Sequence, residues 1–119
     1  MNDDFWGEPV SAYTRQQAIE DGVLVDVTAL AKETGFRIPV AFTAAVWSAC
    51  DRSDDGNEGT QARAHDVLWM AILRIRSALQ REEGEGSFPF QVIIERTTHR
   101  LWVVSHPAKG FTIGLPEDF

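Results

Sequence analysis

The spacing of apolar residues changes along the chain, and each spacing predicts a different element. Ala64, Val67, Leu68, Ala71, Ile72, Ile75, Ala78 and Leu79 recur every three or four positions. That spacing lines one face of a helix, so a long central helix is predicted over residues 60–82. Beyond it the period falls to two. Phe90, Val92 and Ile94, then Leu101 and Val103, fall at every second position. Strands are therefore predicted over 90–96, 100–105 and 111–115, with turns at 97–99 and 107–110. The opposite sheet face would carry Ile93, Trp102 and Val104 beside Gln91 and Glu95.

The first half of the chain reads as shorter pieces. Thr14 and Gln17 have the spacing of a capping box, which starts a helix over 15–21, and Gly22 supplies its left-handed stop. Val23, Leu24 and Val25 form a short apolar run, read as a buried strand. Thr28 is placed to cap a second helix through residue 33, which Gly35 ends. Residues 36–41 are extended, because the residue before Pro39 avoids the helical region. Thr43 is placed to cap a third helix over 44–51, and the polar run 51–59 reads as a loop. Residues 1–12, with Phe5 and Trp6, read as a loose arm. The expectation is one α+β domain over 1–119. Short N-terminal helices and the long helix pack on a three-stranded antiparallel sheet, with room for one extra short strand.

One feature of the long helix does not fit a single buried face. Trp69, Met70 and Leu73 lie opposite the main stripe. Either the helix is packed on two sides, or this second stripe binds a partner.

Composition narrows the class. A chain of 119 residues can form one ordinary core. Its one cysteine, Cys50, excludes a disulfide framework and fits a reducing compartment. No apolar run approaches the ~20 residues of a membrane span. The acidic start is wrong for a signal peptide, so a cytoplasmic protein is expected. Eighteen acidic against eleven basic residues give a net charge of −7. That charge disfavours direct contact with nucleic acid or an acidic membrane. Arg74, Arg76 and Arg81 form the nearest basic cluster, offset by Glu82 and Glu83.

Candidate chemistry is sparse. Glu20, Asp21 and Asp26 cluster around Gly22, and paired carboxylates can do acid–base work when their environments differ. Adjacent side chains at a helix end point apart, however, so a role at the joints of the fold is the stronger reading. His65, His99 and His106 share no metal-ligand spacing. Cys50 lies in an apolar helix beside Asp51, the setting of an inert thiol. The glycines form no phosphate cradle. No cofactor, metal or catalytic residue is expected. Asp51, Asp54, Asp55 and Glu58 lie at one end of the long helix, and Glu82, Glu83 and Glu85 at the other. These acidic loops would stand roughly 30 Å apart at 1.5 Å per residue. Together with Trp69 and Trp102 as aromatic anchors, they are the candidate partner-binding residues.

The run YTRQQAIEDGVLVDV over residues 13–27 resembles the opening motif of a family of small bacterial proteins of unknown function. GFRIPVAFTAAVW (35–47), DVLWM (66–70) and LPED (115–118) extend the likeness over most of the chain. The resemblance implies carriage on plasmids, phages and other mobile elements, and it assigns no catalytic residue. The expected function is a non-enzymatic inhibitor of a host nucleic-acid-handling defence complex, of anti-CRISPR or anti-restriction type. Its partner would be a host protein or ribonucleoprotein. Two alternatives are an enzyme using Glu20, Asp21 or Asp26, and a homodimer joined through the Ile93, Trp102 and Val104 face.

Overall fold

The computed structural model describes residues 13–51, 56–84 and 86–119. The expected N-terminal arm, Asp54, Asp55 and Glu85 lie outside the described residues. In chain order the elements are α1 (Arg15–Glu20), β1 (Leu24–Asp26), α2 (Thr28–Thr34), β2 (Val40–Thr43), α3 (Ala44–Cys50), α4 (Gly56–Gln80), β3 (Ser87–Ile94), β4 (Thr97–His106) and β5 (Gly110–Gly114). A short 3-10 turn, Pro116–Asp118, closes the chain.

The α+β class holds, but the sheet is not the expected three antiparallel strands. It has five strands in the order β1-β2-β5-β4-β3. β2 runs parallel to β5, with Val40, Ala41 and Phe42 opposite Phe111, Thr112 and Ile113; the other pairs are antiparallel. β1 lies in the apolar run read as a strand, though only half-buried, whereas β2 escapes a period-two reading for a physical reason. All four residues of β2 are buried, so there is no polar face to alternate with.

Strand register sorts the side chains into two faces. Val40, Phe42, Leu101, Val103, Ile113, Phe88, Phe90, Val92 and Ile94 turn to one face and are buried. They meet Val27, Ala31, Val46, Cys50, Ala64, Val67, Leu68, Ala71 and Ile72 from α2, α3 and α4. The helices are not confined to that face. Arg15 of α1 reaches over the opposite one, donating to Thr112 Oγ1 at 2.7 Å and to the Phe111 carbonyl at 2.6 Å.

Several local expectations hold. Thr14 and Gln17 form the capping box, and Gly22 and Gly35 take positive φ after α1 and α2. Others need correction. The carboxylate at the start of α2 belongs to Asp26, which accepts from the Thr28 N–H at 3.0 Å and its hydroxyl at 2.6 Å. Thr28 is thus the first helical residue, not the cap. The first sheet turn is Glu95-Arg96, not 97–99. Both residues have positive φ, 49° and 71°, as a tight two-residue hairpin demands. α4 begins at Gly56, so Glu58 sits in its first turn, where the helix dipole favours a carboxylate. Leu79 is 72% exposed and is not part of the core stripe.

Truncation should separate the two ends of that stripe. Leu68→Ala, at a fully buried site, is expected to destabilise by about 3 kcal/mol. Leu79→Ala should stay within about 0.5 kcal/mol of wild type. Urea unfolding of both variants measures the difference; equal losses would mean α4 packs along its whole length.

Candidate functional site

The carboxylates around Gly22 do not converge. Asp21 accepts a hydrogen bond from the Tyr13 hydroxyl at 2.6 Å, which raises the phenol's pKa. Asp26 is taken by Thr28, and Glu20 accepts from the Gln16 amide at 3.3 Å. Cys50 is fully buried, and burial pushes its thiol up to about 11. Arg63 opposes that rise while Asp66 and Asp51 add to it. Among the described residues, no three His, Cys, Asp or Glu side chains are placed to hold a metal. None of the described helices is long and apolar enough to cross a membrane.

The acidic candidates have unequal surroundings. Glu83 forms a two-pronged pair with Arg74, at 3.0 and 3.1 Å. That bond is the main cause of its lowered pKa. Asp51 accepts from the Thr60 hydroxyl at 3.2 Å. Glu58 and Glu82 are exposed. The 25 residues of α4 separate the two ends by about 37 Å at 1.5 Å per residue.

Trp69 and Trp102 do not share a surface. Trp102 pairs with Pro89 and Gly114 and lies on the sheet face away from α4. Trp69 is on α4, 46% exposed, next to Met70 and Leu73 at 38% and 40%. The second stripe of α4 is therefore open, and the helix is buried along one side. It stands beside β3, which is an edge strand eight residues long.

The ladder identifies which β3 groups are unpaired. Ser105 N–H donates to the Gly86 carbonyl, so even-numbered positions bond to β4. Odd-numbered positions turn outward. Pro89 has no N–H to expose, and its carbonyl accepts from Arg74 Nε at 3.0 Å. Gln91 and Ile93 have no such cover, and among the described residues nothing bonds their outward N–H and C=O. Asp66, Trp69, Met70, Gln91, Val92, Ile93 and Thr98 line a groove of about 460 Å³ along this edge. Ile93 is 66% exposed. The sequence carried Trp69 and Ile93 as separate clues; only their position on one edge joins them.

A second, larger groove of about 750 Å³ opens on the other sheet face, between α1 and the C-terminal turn. Arg15, His106, Lys109 and Thr112 line part of it. No local pattern signals this cluster, because Arg15 and His106 are 91 positions apart. Burial lowers the His106 pKa, and the charges of Arg15 and Lys109 lower it further.

His106 gives a pH dependence with a definite sign. The unfolded chain takes up the proton near pH 6.5, before the folded protein does. This contribution to stability is present above that pH and is lost as pH falls toward the lower folded value. Urea midpoints are expected to fall between pH 7.5 and 5.5, and His106→Gln should flatten that fall. An unchanged slope would remove His106 as its source. No family model, curated protein or solved structure matches the chain, so the fold and its two grooves carry the functional argument.

Proposed function

We propose that the protein is a non-enzymatic binding protein that captures an extended segment of a partner on the open edge of β3. One observation carries this reading. Among the described residues, nothing pairs the outward backbone groups of Gln91 and Ile93, which lie beside the exposed apolar wall of Trp69 and Met70. An added strand satisfies those groups through main-chain hydrogen bonds, and pockets between alternate side chains supply selectivity. An exposed edge otherwise invites unwanted pairing, and native proteins commonly cover or charge it. Here Arg74 covers Pro89 and leaves the next stretch bare.

Charge narrows the partner. The net charge of −7, with Asp66 in the groove and Glu58 and Glu82 exposed, favours encounter with a basic surface. Proteins that handle nucleic acid have such surfaces. With the sequence resemblance to proteins of mobile elements, this supports inhibition of a host defence complex, most concretely a CRISPR effector. The separate local bonds of Asp21 and Asp26 weaken the enzymatic alternative.

Gln91→Pro removes one outward N–H and leaves the β3–β4 ladder intact. With the fold checked by circular dichroism, it should weaken partner binding by about tenfold or more, as should Trp69→Ala. The wild-type on-rate should fall with added salt. If purified CRISPR effectors and restriction complexes all fail to bind at low salt, the reading is wrong. Sedimentation of the protein alone tests the homodimer alternative, which requires a dimer without any partner.

A further inference from the structure

We propose that the groove between α1 and the outer face of β4 and β5 binds a small organic phosphate, with the phosphate held by Arg15, Lys109, His106 and Thr112. This site is independent of the β3 edge.

The first argument is charge. In a chain of net −7, two permanent cations and a histidine line one concave surface, with Arg15 and Lys109 near enough to act on His106. Among the described residues, neither Arg15 nor Lys109 forms an ion pair. Asp26 lies close enough to favour the charged form of Arg15, but its Oδ1 is committed to Thr28. The other acids on the groove wall keep their charge but turn their oxygens to neutral donors. Asp21 accepts from Tyr13, and Asp118 accepts from the Thr43 hydroxyl and the Leu115 N–H. Arg15 and Lys109 both act on His106 and lower its pKa further than burial alone, so an anion bound among the three relieves their mutual repulsion.

The second argument is preorganisation. Arg15 is pinned by its two bonds to β5, so little side-chain freedom is lost on binding. Its guanidinium retains further N–H donors for an oxyanion. Lys109 sits on a tightly fixed turn. Ala108 has φ of 66°, and a Cβ on Gly110 would overlap the Pro39 carbonyl oxygen. The turn can move little without breaking the contact with β2. Thr112 adds a hydroxyl on the floor of the groove.

The third argument concerns the rest of the ligand. The groove volume, about 750 Å³, exceeds what a bare oxyanion needs and suits a small molecule. Away from the cations its walls mix apolar Ala18, Leu24 and Ala44 with Thr14, Asp21 and Asp118. The rings of Tyr13 and Phe119 stand at the rim, each 56% exposed. Such rings offer faces for a planar body. A phosphate site and flat rings in one groove suit a nucleoside monophosphate. His106 responds to such a ligand, because a bound dianion opposes the cations that depress its pKa.

The test uses the full chain with AMP, inorganic phosphate and adenosine, followed by nuclear magnetic resonance at the His106 imidazole and the Thr112 amide. AMP is expected to give saturable shifts and to raise the His106 pKa. Inorganic phosphate and adenosine should each bind about tenfold more weakly or worse. Lys109→Ala, at an exposed turn position, should weaken AMP by about fivefold or more without changing the unfolding midpoint. Absence of saturable shifts with millimolar AMP would overturn the proposal. So would adenosine binding as tightly as AMP, since the cations would then read nothing. Equal affinity for AMP and inorganic phosphate would overturn the organic body.

Discussion

The parallel contact between β2 and β5 holds the two halves of this chain together. Phe111 N–H donates to the Pro39 carbonyl at 2.9 Å, and the pairing runs on through Val40, Ala41 and Phe42. The approach is close enough that only glycine fits at position 110. A Cβ there would overlap the Pro39 carbonyl, and the φ of 124° would strain any other residue. Arg15 reinforces the same joint from the other side by bonding Phe111 and Thr112. Once β5 is fixed against β2, the β4 and β3 hairpins extend the sheet outward, and α4 has one continuous apolar face to cover.

That constraint also produces the two surfaces. β5 lies in the middle of the sheet, so the meander that leaves it must end in an edge at β3. α4 covers the inner face and keeps Trp69, Met70 and Leu73 in solvent along that edge. On the outer face, α1 covers only part of the sheet, and the C-terminal turn covers another part. Phe119 packs over Gly114, where a Cβ would meet its ring at 2.9 Å. The space left between α1 and this turn is the groove that Arg15, Lys109 and His106 line. The edge would act through main-chain hydrogen bonding and apolar contact; the groove would act through charge.

Much of the local structure was legible because its causes are local. The capping box of Thr14 and Gln17, the left-handed stops at Gly22 and Gly35, and the buried positions Phe90, Val92, Ile94, Leu101 and Val103 follow from short-range chemistry. The turn at Glu95-Arg96 was not legible. Two residues with long, charged chains are poor choices for positive φ, and the ladder imposes that conformation on them. Leu79 looked like core because helical spacing continues past the point where the sheet ends and there is nothing left to bury it.

A long amphipathic helix, a C-terminal meander, the absence of a disulfide framework and an acidic net charge can all be read from the residues alone. These depend on residues within a turn or a strand of one another, or on simple counts. The tertiary structure decided which strands meet in parallel, that Gln91 and Ile93 are left at an open edge, and that Arg15 and His106 share a groove. Those outcomes depend on contacts between residues many tens of positions apart. No local period encodes such contacts, because the energy that selects them comes from burying the assembled sheet beneath its helices.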